Sequence, residues 1–243
     1  MLRIIFLFLL ALSPSVALAG PNTLAVLYFK NQGNPDLEPL KVGLAQMLIT
    51  DLQQTHGLKV VERSQLQSVM DELALGHSGT VDKKTAAKLG NLLGAEWLLM
   101  GGYFELAGTL RIDARLVNVE TGEILHAQGR HGTTPEFMAL EQQLAEAFQL
   151  DLAGRTGGTP VSVVPADGLP TPVVPSGTRS TPGEANGIVR HNTNAVAAAV
   201  AYSEGLIFLD NKDAGRARES FEKALTNDPD LQLAKAELAS LDL

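Results

Sequence analysis

Cysteine is absent from the 243 residues. Disulfides, thiolate metal sites, cysteine nucleophiles and lipid attachment at an amino-terminal cysteine are therefore excluded. Aromatic residues are scarce at 5%, so a core must be built mainly from Leu, Val, Ile and Ala. Basic residues are outnumbered, with 19 Lys and Arg against 27 Asp and Glu. No basic patch with interleaved aromatics occurs, and a net charge of −8 disfavours both nucleic acid and anionic lipid as partners. Past the amino terminus, no apolar run approaches the ~20 residues that a membrane-crossing helix needs.

Reaction-bearing motifs are missing too. There is no G-x-S-x-G, no phosphate-binding glycine-lysine loop and no dinucleotide fingerprint. His56, His77, His126, His131 and His191 never pair at i,i+4 on a helix with a carboxylate. Neither a metal nor a cofactor is expected, and no residue is assigned a catalytic role.

What is present begins with a leader. Arg3 precedes the unbroken apolar run Ile4–Leu12, and Ala17-Leu18-Ala19 places small residues before Gly20. This is the layout of a secretory signal peptide over residues 1–19, cut between Ala19 and Gly20. Its removal takes Arg3 with it, moving the formal charge from −8 to −9. The mature chain is expected outside the cytosol, without a transmembrane span and without a lipid.

Residues 20–153 read as an α/β (α+β-like) domain. Leu24–Phe29 and Leu58–Glu62 are short apolar strands around a helix at 39–55, whose inward positions are Leu40, Leu44, Met47, Leu48 and Leu52. Gly57 is placed as that helix's C-cap. Ser64 and Gln67 have capping-box spacing. Gly76–Gly79 breaks that second helix, and Asp82 starts a third that ends at Gly94. The period then changes to two. Trp97–Leu106, Leu110–Val119 and Glu123–Arg130 form the three-stranded antiparallel part of a mixed sheet, turned at Ala107-Gly108 and Glu120–Gly122. A closing helix is predicted over Pro135–Leu152. On the middle strand, Leu110, Ile112, Ala114 and Leu116 share one face, and Arg111, Asp113 and Arg115 share the other. The first face is expected to pack on helices, and the second is a candidate partner-binding stripe.

Residues 154–190 differ sharply in composition, with six prolines and seven glycines between Gly154 and Gly187 and no aromatic. This stretch reads as a disordered linker averaging ~30 Å as a coil. Residues 191–243 form a separate, small helical unit. Gly205, Phe208, Ala217, Phe221, Ala224, Leu225 and Pro229 fall at the spacings of one tetratricopeptide repeat. Its first helix would line a partner groove with Tyr202, Leu206, Leu209 and Asp210. One repeat is too small to be stable alone, so it should lean on its own domain, a second copy or a partner. Glu62-Arg63, at a strand-to-helix junction, reads as a surface pair beside the Ser64 cap.

Several segments together carry a resemblance. They are Leu24–Phe29, Gly43–Leu52, Val60–Leu66, Leu89–Ala95, Leu99–Tyr103 and Leu116–Ile124. In order and spacing, residues 24–130 resemble the group containing the curli secretion protein CsgG, HfaB, the flagellar protein FlgO and the TolB amino-terminal domain. The resemblance implies periplasmic or outer-membrane-associated work in assembling or exporting surface structures. Two features depart from CsgG itself: no cysteine is available for a lipid, and short turns leave no room for the long hairpins of a membrane barrel. The expected function is that of a non-catalytic accessory or scaffold acting on envelope or outer-membrane proteins, with homo-oligomerisation possible. A soluble ring subunit of a secretion channel is the alternative, and an envelope-polymer hydrolase is a weaker one.

Overall fold

The computed structural model describes residues 22–73, 83–157 and 194–242. The leader with Ala19 and Gly20, the Gly76–Gly79 break, the Asp82 cap and most of the linker lie outside these residues.

A mixed sheet forms the centre, with strand order β3-β1-β4-β5-β6. The strands are β1 (Thr23–Val26), β2 (Lys30–Asn31), β3 (Lys59–Val60), β4 (Trp97–Leu106), β5 (Thr109–Asn118) and β6 (Ile124–Thr133). β1 runs parallel to β3 and β4, β2 runs parallel to β4, and β4–β5–β6 is antiparallel. The predicted strand Leu24–Phe29 ends at Val26, and β2 begins only after Phe29, which turns inward against Gly101. A Cβ on Gly101 would stand 2.6 Å from the Phe29 ring and 2.0 Å from the Asp113 carbonyl oxygen. Ala107 and Gly108 both have positive φ, 52° and 79°, as the two-residue turn between β4 and β5 requires.

Four helices belong to the α/β part: α1 (Leu40–Leu52), α2 (Arg63–Glu72), α3 (Lys83–Leu93) and α4 (Phe137–Thr156). α1 lies beside α4, whose Phe137, Leu140, Leu144 and Phe148 meet the helix-facing residues of β5 and β6. Three local expectations are corrected. α1 ends before Gln53, and Gly57 (φ 74°) serves the turn into β3 rather than the helix end. The Ser64–Gln67 capping box does not form, because the Gln67 amide is drawn to Tyr28 and Asp71. α4 continues past Leu152 to Thr156 and stops at Gly157, which is left-handed.

The remaining helices, α5 (Ala195–Asp210), α6 (Ala214–Asn227) and α7 (Gln232–Leu241), follow the expected order. In α5 and α6, Gly205 lies against Phe221, where a Cβ would meet the ring at 2.4 Å. Phe208 is only partly buried and is covered by the Arg216 guanidinium, 4.5 Å from its centroid. The unit does not stand apart. α5 crosses α1 and the two parts share one contiguous core.

The crossing depends on small residues. A Cβ on Gly43 would come within 2.0 Å of the Ser203 hydroxyl and 3.1 Å of its Cβ. Gly43→Ala is expected to lower stability by about 1–3 kcal/mol through overpacking. Ser203→Gly in the same chain should recover part of that loss in a thermal melt. Failure of the second change to help would place the strain elsewhere.

Candidate functional site

The functional candidate with open access is the sheet face opposite α1 and α4. Strand register arranges it in rows. Met100, Arg115 and Ala127 form one row, and Gly102, Asp113 and Gly129 form the next. Phe104, Arg111 and His131 form the row after that. Two residues of the middle row are glycine, and the Gln32 amide folds over Gly102 while the Asp113 carboxylate and the Arg111 guanidinium lie over Gly129. Lys30 on β2 lies at the end of that row, in register with Gly102. The groove over these rows has a volume of about 720 Å³. A smaller cleft of about 270 Å³ adjoins it, floored by Leu98 and Val117 and walled by Ala86 of α3. Met100, Arg115 and Ile124 border both.

The predicted stripe Arg111, Asp113 and Arg115 is thus brought together on one open surface. Alternation along β5 is complete: Leu110, Ile112, Ala114 and Leu116 are buried, and the three charged residues are exposed. Arg111 forks onto Asp113, with Nε and Nη2 each 2.8 Å from a carboxylate oxygen. Arg115 and Lys30 have no ion-pair or hydrogen-bond partner among the described residues. Three large apolar side chains are exposed on the same face: Phe104 (37%), Leu106 (71%) and Ile124 (54%). Exposed apolar side chains therefore stand beside two cations that have no partner among the described residues.

The predicted helical groove is placed differently. Tyr202 and Leu206 are fully buried, and Leu209 is partly buried. The Tyr202 ring packs 5.8 Å from that of Phe221. Asp210 is engaged with Arg63, whose Nη1 donates to Oδ1 and Oδ2 at 2.8 and 2.6 Å. The chain itself closes the face that the repeat spacing would leave open, because α5 is needed to cover the apolar outer side of α1.

Arg63 is the residue that the local sequence misplaced. It is 8% exposed, and its Nε donates to Gln46 Oε1 at 3.2 Å. Tyr28 stands beside it and donates to Gln67 at 2.7 Å. Burial pushes the Tyr28 phenol up to about 12 against the pull of Arg63. Burial alone would lower the Arg63 pKa, but the Asp210 hydrogen bond and charge hold it above the ordinary value. This network joins α1, α2 and α5. It is a structural hub rather than an access point.

Glu141 is 4% exposed, and its Oε1 lacks a partner among the described residues. Burial, and secondarily the Asp51 charge, raise it to about 8. Glu141 and Asp51 belong to α4 and α1, and neither lines the groove or the cleft. They offer no bond to a substrate. No group of three metal-ligating side chains gathers among the described residues.

Residues 10–107 match the family model described as curli production assembly/transport component CsgG. The chain therefore carries a CsgG-like domain over that span, which ends at the tip of β4. No curated protein matches the chain. Among solved structures, it is similar to the LpoB C-terminal domain from Salmonella enterica, with 20% identity and a TM-score of 0.40, covering 48% of this chain and 85% of that one. It is also similar to lipoprotein GNA1162 from Neisseria meningitidis, with 16% identity, a TM-score of 0.42, and coverage of 53% and 96%. A PelC dodecamer from Paraburkholderia phytofirmans is similar at 14% identity and a TM-score of 0.34, with coverage of 59% and 92%. No described helix is long and apolar enough to cross a membrane.

Proposed function

We propose that this chain is an exported, non-catalytic accessory or scaffold protein of the cell envelope, periplasmic or outer-membrane-associated. It serves the assembly or export of surface structures by binding other proteins. The observation that carries this reading is the open face of β4–β5–β6, where Arg111, Asp113 and Arg115 stand among exposed Phe104, Leu106 and Ile124. The CsgG-like span supports the compartment, and the leader-like residues 1–19 support export. In this reading residues 20–153 carry the docking face. The described part of the predicted linker, 154–157, belongs to the end of α4, residues 158–193 connect it to α5, and α5–α7 complete the core over α1.

The test is photocrosslinking in intact cells. A crosslinking amino acid at Arg115 should yield discrete adducts with envelope proteins, and one at exposed Glu222 of α6 should not. Equal labelling from both positions, or none from Arg115, would remove the docking face. Turnover of a small molecule by the purified chain would remove the non-catalytic assignment.

A further inference from the structure

The groove also has a chemistry, which deepens the docking reading and rests on it. We infer that it receives an extended acidic peptide segment of a partner protein, with two carboxylates four residues apart followed by an apolar side chain.

Three observations carry this. The first is charge. Lys30 and Arg115 line the groove, whose one carboxylate, Asp113, is matched by Arg111, and Glu120 stands in the adjoining cleft, leaving a local positive excess on a chain of net charge −8. Since Arg111 is committed to Asp113, Lys30 and Arg115 are the cations open to an incoming carboxylate. A second copy docking by the same face about a two-fold axis would bring one positive face against another. That disfavours the chain itself as occupant.

The second is spacing. Lys30 lies beside Gly102, and Arg115 lies beside Met100 one strand further on. Two inter-strand steps and two residues along the strand separate their Cα atoms by about 12 Å. On an extended peptide, side chains at i and i+4 point the same way and stand about 13 Å apart. The third is shape. The line from Lys30 to Arg115 passes Gly102, over which the exposed Gln32 amide lies, and continues to Ile124 and the largely apolar cleft under α3. A peptide backbone can hydrogen-bond the Gln32 amide over Gly102, the two acids meet the two cations, and the next side chain on that face enters the cleft.

The full processed chain, ¹⁵N-labelled, would be titrated with acetyl-Glu-Thr-Ala-Thr-Glu-Thr-Leu-amide and with its two-glutamine counterpart. The acidic peptide is expected to shift the Gly102, Arg115 and Gly129 amides. Binding should weaken at least tenfold in Lys30→Glu/Arg115→Glu, and it should weaken with added salt. Equal affinity for the glutamine peptide, or shifts away from this face, would overturn the acidic assignment. So would tighter binding of polygalacturonate at the same amides, which would point to a polymer occupant. Arg115 adducts in cells without acidic-peptide binding would sink this chemistry and leave the docking face standing. Absence of both would remove both.

Discussion

Asp210→Ala is expected to destabilise the chain by about 3–5 kcal/mol, because it leaves Arg63 charged, buried and unmatched. Both side chains are about one-tenth exposed, at 10% and 11%, so solvent cannot take over the missing partner. Gln46 and Tyr28 remain beside Arg63 without a compensating negative charge at neutral pH, and Glu237, which feels the Arg63 charge, makes no ion pair with it among the described residues. Arg63→Met combined with Asp210→Leu should recover most of the loss, since an apolar pair of similar volume avoids desolvating two ions. Urea unfolding of the single and double variants decides it. A loss below about 1 kcal/mol for Asp210→Ala would mean that the unit is held by apolar packing alone.

The second large effect is pH-dependent and belongs to Glu141. Burial raises its carboxyl to about 8 in the folded chain. In the unfolded chain it titrates near the ordinary value of about 4.3. Below that value both states hold the proton, and the site costs nothing. As pH rises, the unfolded chain releases the proton first, so stability falls until the folded group ionises near 8. At pH 7 the loss approaches about 3–4 kcal/mol, at 1.36 kcal/mol per unit. Asp51, also raised by burial, works in the same direction. Glu141→Leu should therefore be more stable than the parent, by a margin that is small at pH 4.5 and grows steadily to pH 8. A margin that does not change with pH would show that Glu141 reaches solvent or a partner.

The hairpins were the most legible part of the fold. Period-two alternation from Trp97 onward and the turns at Ala107-Gly108 and Glu120–Gly122 place β4, β5 and β6 within a few residues. The charged stripe was legible for the same reason, because alternation alone puts Arg111, Asp113 and Arg115 on one side. α1 was half legible. Its leucines suit a one-sided helix, but Val42, Gly43, Ala45 and Ile49 are buried as well. A helix apolar all round is a signal of burial on every side, and it could have announced that something packs over α1. Arg63 was not legible. Its partner lies 147 residues away, and no local pattern links them. Glu141 was legible in retrospect as a charge inside the apolar stripe Phe137, Leu140, Leu144 and Phe148. So was Thr133-x-x-Glu136, a real capping pair in which Glu136 accepts from the Thr133 amide at 2.7 Å.

The crossing of α1 by α5 also sets a timetable for maturation. Roughly 140 residues of synthesis separate the end of α1 from the start of the helix that roofs it. At ~5–20 residues per second, that leaves α1 uncovered on the order of 10 s in every newborn chain. Throughout that interval the polypeptide is a natural client for holding chaperones, and a ribosome stalled before residue 195 would release an aggregation-prone fragment.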